Sequence, residues 1–227
     1  MGGRWRLRTV AGVLVLAAGL GCNPLTAPFF MMFGVDSKEE PEFKLASTDK
    51  NHEVRVVVLA YTSPDVQTDQ VGVDRQLATE LTRQLGDRCK ANKEKVKVIP
   101  VHKVVKFKND HPGWKSMGMD EIGRSFEADY VVDVEIVSLS LYEPGSHKTL
   151  FKGYCKVDVS VLDLSKPQDG PAYHQTISLQ YPTSRGPVPV ADDGNTESFR
   201  QNFVRRIATE LAWKFTTHLT DENYQCD

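Results

Sequence analysis

Asp133 and Glu135 stand two residues apart in the run Tyr130-Val131-Val132-Asp133-Val134-Glu135-Ile136, so strand alternation puts both carboxylates on one face. Two carboxylates on one face can divide general acid-base work, one holding a proton while the other accepts one. Lys152 and Lys156 project from what reads as the returning strand of the same hairpin, and charge pairing across strands explains the acids without catalysis. A second constellation is basic. Residues 88–108 hold eight Lys or Arg against a single acid, Glu94, and acids dominate the stretch from Asp110 to Glu143. Such asymmetry can steer a domain to an anionic surface or an acidic partner, with Lys93, Lys95, Lys106 and Lys108 as the candidate contacts. A solvated helix end and loop is the plainer reading of the same residues.

Other chemistry is sparse. The chain has no Gly-rich phosphate loop, no Gly-x-Ser-x-Gly elbow, no His-Glu-x-x-His pair and no Cys-x-x-Cys pair. The six histidines, His52, His102, His111, His147, His174 and His218, are scattered without the short spacing of a metal site. The expectation is therefore a protein that is not an enzyme and holds no metal or cofactor.

Periodicity supplies the elements that would position these groups. Residues 53–61 form a β-branched run apolar on both faces, suited to a central strand. Leu77, Leu81, Leu85 and Cys89 recur at every fourth residue, so 74–91 reads as an amphipathic helix whose stripe faces a sheet. A strand over 96–101, a lysine-rich loop with a turn at 111–114, and a short helix over 120–127 follow. Within the strand 129–142 the apolar residues change phase, from Tyr130, Val132, Val134 and Ile136 to Val137, Leu139 and Leu141. This predicts a β-bulge near Val137 and Ser138 that keeps both sets on the core. Residues 150–163 return as a strand with Phe151, Cys155, Val157, Val159 and Val161 inward, and a last strand covers 173–181. The chain closes with a long helix over 197–219 on the stripe Phe199, Phe203, Ile207, Leu211 and Phe215. This order implies an α/β, or α+β, fold: a mixed sheet of about five to six strands, a helix after the first strand, and a long C-terminal helix packed on it.

At the other end, Arg4, Arg6 and Arg8 precede a short apolar run over 10–20 and the pair Gly21-Cys22, which looks like a bacterial lipoprotein signal. Cys22 would then be lipidated and open the mature protein. An ordinary signal cut after Gly19 or Gly21, or an uncleaved anchor, are the other readings, though the run falls short of the ~20 residues that span a bilayer. Residues 1–21 are thus read as signal, 22–51 as a Pro-bearing tether, 52–220 as a single domain and 221–227 as a tail. The cluster Phe29, Phe30, Met31, Met32 and Phe33 could lie in the lipid interface or pack on the domain as an arm. The signal holds three arginines and no acid, so the mature chain carries 25 basic and 30 acidic groups, too acidic for a general nucleic-acid binder. With Cys22 lipidated, Cys89, Cys155 and Cys226 remain; Cys155 belongs in a strand, so Cys89 and Cys226 are the candidate disulfide.

From 54 to 219 the chain resembles the α/β domain shared by the TolB amino-terminal domain, the curli-secretion lipoprotein and the LpoB-type lipoprotein activators of penicillin-binding proteins. Ala128-Asp129-Tyr130-Val131-Val132 is similar to the Ala-Asp-Tyr lead into the family's third strand, and 159–164 is similar to its later Val-Asp strand end. Asp133 stands where these families usually place Gly, and Ser165-Lys166-Pro167 where a Thr-Gly-Glu turn is common. The resemblance implies a lipid-anchored cell-envelope protein whose domain binds or helps to assemble another envelope component. The curli-type pore inserts long membrane-spanning hairpins, for which this chain has no apolar alternating insert. The alternative is an envelope hydrolase or small-ligand-binding lipoprotein using Asp133, Glu135 and a pocket under 182–194. A concave pocket on those carboxylates would favour it, and a flat sheet face would favour binding.

Overall fold

In the computed structural model the described residues are 38–220, except Thr48, Lys50, Asp65, 67–69, 184–188 and Asp193. Cys22, the aromatic cluster at 29–33 and Cys226 lie outside them. β-branched residues build the centre. β2 (Val54–Thr62) and β4 (Tyr130–Tyr142) are neighbours in a five-stranded mixed sheet of order β3-β2-β4-β5-β6, where β3 is Val96–Val98, β5 Phe151–Asp163 and β6 Tyr173–Tyr181. β2 runs parallel to both β3 and β4, whereas β4, β5 and β6 form an antiparallel meander. The register slips between Ile136 and Ser138, which returns Leu139 opposite Cys155 on the core side, the bulge that the phase change predicts.

Two helices cover the first face. α1 (Val73–Ala91) sets Leu77, Leu81 and Leu85, and α4 (Thr196–Phe215) sets Phe203, Ile207, Leu211 and Phe215, against Val56, Val58, Val132, Val134, Val157 and Val159. These side chains are fully buried, each worth ~1.5–3 kcal/mol relative to exposure. α4 lies close on β5 at Gly153, where an added Cβ would meet the Phe203 ring at 2.6 Å, so only glycine fits there. The second face carries a smaller cluster of Val57, Leu59, Val131 and Leu162 under α2 (Val101–Asp110) and α3 (Met119–Ser125).

Three features depart from the sequence reading. The lysine-rich loop is the helix α2, which follows Pro100 and presents Val101, Val104 and Phe107 to the two clusters at three-residue spacing, with lysines between. The last helix stops at Phe215 rather than 219: Thr216 turns extended while its hydroxyl donates to the Ala212 carbonyl at 2.7 Å, and the chain continues into β7 (His218–Leu219). β7 pairs with β1 (Lys38–Glu39), so the stretch read as tether is folded from Lys38 onward. There Leu45 is buried, Phe43 packs on the Tyr130 and Tyr173 rings, and the Phe43 N–H donates to the Lys214 carbonyl at 3.0 Å. Among the described residues no helix is long and apolar enough to cross a membrane.

Candidate functional site

Register across the sheet builds the second face in rows. Val57, Val131 and Leu162 make an apolar row; Leu59, Asp133, Ser160 and His174 make the next; Tyr61, Glu135, Asp158 and Thr176 make a polar one. α2 and α3 pack on β2 and β4, and their cover ends where the rows turn polar. Over β5 and β6 the face lies open, with Lys156, His174, Thr176, Ser178 and Gln180 exposed.

Asp133 sits on that border. Its Oδ2 accepts a hydrogen bond from the Tyr61 hydroxyl at 3.1 Å, and the Tyr61 ring meets Trp114 edge-on at 5.7 Å. Lys108 reaches in from α2, donating to the Ala60 carbonyl at 2.6 Å with its Nζ 4.1 Å from the Trp114 ring centre. Burial pushes the Asp133 carboxyl up to about 6, opposed by the Tyr61 hydrogen bond, aided by the charge of Glu135 and opposed again by Lys108. Burial likewise pulls Lys108 down to about 8. The same burial, together with the Asp133 charge, raises the Tyr61 phenol, so it stays a neutral donor.

This arrangement could hold a proton near neutrality, yet the parts of a nucleophilic site do not converge on it. Asp133, Ser160 and His174 share one row, but serine lies between the other two on the middle strand. A triad needs the imidazole between, and two strand spacings set Asp133 and His174 ~10 Å apart. Glu135 faces Tyr61 and Asp158 rather than a base. Two further grooves are lined by other residues: one of about 780 Å³ by Lys38, Lys44, His52, Lys93 and Lys95, and one of about 370 Å³ between α1 and α4 by Arg75, Gln76, Thr79, Gln201 and Arg205. Among the described residues no three His, Cys, Asp or Glu gather as metal ligands.

The sequence-derived contact lysines fall in different places. Val54 donates to the Lys95 carbonyl while Lys108 donates to the Ala60 carbonyl, so the two meet β2 six residues, ~20 Å, apart. Lys93 and Lys95 line the larger groove beside the start of the folded unit at Lys38. Lys106 pairs with Asp110 at 2.6 Å and Lys108 is turned inward. Lys152 pairs with Glu143 at 3.3 Å, and Lys156 lies opposite Ser138, so Asp133 is hydrogen-bonded by Tyr61 from the other side of β4 and feels the Lys108 charge. Sequence reading missed Tyr61, Trp114 and Lys108 as a group, because only the parallel pairing of β2 with β4 and the unforeseen helix α2 bring them together. Cys89 and Cys155 are buried and not paired with each other, with burial holding both thiols up at about 12, and the candidate Cys89–Cys226 disulfide lies outside the described residues through Cys226.

No protein-family profile matches the chain, and no curated protein matches it. Solved structures with a similar arrangement include the lipoprotein GNA1162 from Neisseria meningitidis, at 10% identity over 70% of this chain and 98% of that one, TM-score 0.44. The PelC dodecamer from Paraburkholderia phytofirmans is similar at 12% identity over 78% of this chain and 95% of that one, TM-score 0.41. Protein XCC0632 from Xanthomonas campestris is similar at 10% identity over 77% and 85%, TM-score 0.46. The neighbours thus include bacterial lipoproteins, and no function is carried over from them.

Proposed function

We propose that this is a lipid-anchored cell-envelope protein, fixed to a bacterial membrane through Cys22, whose α/β domain binds or helps to assemble another envelope component through the open half of its second sheet face. The observation that carries the binding reading is that face itself: exposed polar side chains of β5 and β6, next to a half that helices cover. Its charges are mixed, with Lys156 and Asp158 two residues apart on one face of β5, which suits a polar protein surface better than a uniformly charged polymer. A hydrolase or small-ligand reading on Asp133 and Glu135 has less support, since Asp133 is already engaged by Tyr61 and, among the described residues, Glu135 stands in register with Tyr61 and Asp158, while 184–188 of the 182–194 segment lie outside them. Anchoring rests on the basic, apolar and small residues that lead to Cys22.

Two experiments test the parts separately. Mass spectrometry of the mature N-terminus finds Cys22 carrying two or three acyl chains, and Cys22→Ala releases the protein from membranes; an unmodified terminus at Leu20 or Cys22 defeats the anchor. For the domain, Lys156→Glu with Asp158→Lys lowers recovery of the cross-linked envelope partner by about tenfold while the fold is retained. Unchanged recovery places contact elsewhere on the domain.

A further inference from the structure

The two edges of the five-stranded sheet are built differently. β3 is three residues long, carries Lys97 at its middle and gives way through Pro100 to α2, all of which blunt an edge against pairing. β6 runs nine residues without Pro, Gly or any Asp, Glu, Lys or Arg, and keeps an unbroken register with β5. From His174 to Gln180 its outer side has no partner strand among the described residues. The core is also unfinished along this edge. Cys155, Val157, Val159 and Val161 of β5 are buried, whereas Tyr173, Ile177, Leu179 and Tyr181 of β6 are only half-buried.

We propose that β6 pairs antiparallel with β6 of a second copy about a two-fold axis at Ile177, joining two subunits through one ten-stranded sheet. The strand is close to a palindrome in residue type, which is what a two-fold requires and a foreign strand would not. In this register Tyr173 meets Tyr181 of the partner subunit, His174 meets Gln180 of the partner subunit, Thr176 meets Ser178 of the partner subunit, and Ile177 meets itself. The tyrosines and the hydroxyls thus face their like, His174 meets an amide, Gln175 opposite Leu179 is the one unlike pair, and no two equal charges are opposed. Alternation keeps corresponding faces on the same side, so Tyr173, Ile177 and Tyr181 join the two cores instead of ending at water, with the Gln175 amide beside Leu179. This pairing goes beyond the binding role proposed above and does not depend on it, because it is made by the backbone edge of β6 and read out by self-association alone.

The test exploits the register. In one chain His174 and Gln180 lie six residues apart and opposite the uncharged Ser160 and Tyr154, so charges placed there do not meet within a subunit. Across the two-fold they do. Sedimentation of the full-length chain in detergent over a dilution series shows a dimer; His174→Lys with Gln180→Lys opposes equal charges twice and raises its dissociation constant about tenfold or more. His174→Lys with Gln180→Glu opposes unlike charges and keeps the dimer. Hydrogen exchange of the unaltered protein provides a check that needs no variant: all amides from 174 to 180 are slow in the dimer, and alternate ones become fast on dilution. A wild-type chain that sediments as a monomer throughout overturns the proposal. So does a dimer that survives the paired lysines, or that is lost equally with the lysine and glutamate pair.

Discussion

The second face of the sheet is made by one alternating pattern, yet its two halves end in opposite environments. Over β2, the start of β4 and the end of β5 the row Val57, Val131, Leu162 is apolar and lies beneath α2 and α3; over the rest of β5 and β6 the rows are polar and, among the described residues, uncovered. The row that holds Asp133 carries the change within itself, from buried Leu59 to exposed His174. The site is made by where the helices stop. Asp133 is desolvated because it borders the covered half, not because it belongs to a core, while Glu135 two residues on faces the open row.

The largest effect that can break this comparison is on stability. Leu59→Ala in the covered half should cost about 2–5 kcal/mol in urea unfolding, while Lys156→Ala in the open half should stay within about 0.5 kcal/mol. Comparable losses at the two positions would mean that α2 and α3 do not seal the face.

A smaller effect sits on the border. The folded Asp133 carboxyl titrates at about 6, above its unfolded value of ~3.9, so the folded state binds its proton more tightly. The stability it contributes is complete below about pH 4 and is lost as pH rises through about 6. Asp133→Asn should therefore be more stable than the wild type at neutral pH by about 2–3 kcal/mol, and the gap should close as the pH falls to about 4. Lys108, lowered to about 8 in the fold, works oppositely: its contribution is present above its unfolded value of ~10.4 and is lost as pH falls through about 8. Paired denaturation curves across that range check both signs. A gap between wild type and Asp133→Asn that does not change with pH would remove Asp133 from the border.

The smallest effects concern the scattered lysines. Lys93→Glu, Lys95→Glu and Lys106→Glu should leave stability nearly unchanged and weaken binding to anionic vesicles by about 1 kcal/mol for each lysine that touches lipid. Lys93 and Lys95, which line one groove, should act together, and Lys106, already paired with Asp110, should matter less.

What the sequence disclosed and what it hid follow one physical line. Elements whose periodicity is strong were readable: the leucine stripe of α1, the span of β6, and the bulge after Ile136 forced by a change of phase. Helix α2 was hidden because its apolar residues are few and lysines interrupt them, so only a packed surface beneath Val104 and Phe107 makes it a helix. The β1–β7 ribbon was hidden because two-residue strands have no period to read. At the site, the shared face of Asp133 and Glu135 was legible from alternation. Their partners were not, because the acids read as pairing with Lys152 and Lys156, whereas the parallel neighbour β2 brings Tyr61 and the hidden helix brings Lys108.

In the proposed function the open half of the face is the surface that meets another envelope component. Its most direct test is a photo-cross-linking residue placed in living cells at Lys156 or Ser160 on that face, and at Thr79 or Arg205 on the helix side. The expected result is an adduct of one defined mass, different from twice the chain's own, from the first two positions, and its disappearance when Asp158→Lys is added. Adducts from Thr79 or Arg205 alone, or none from Lys156 and Ser160 while the protein is folded and membrane-bound, would contradict it.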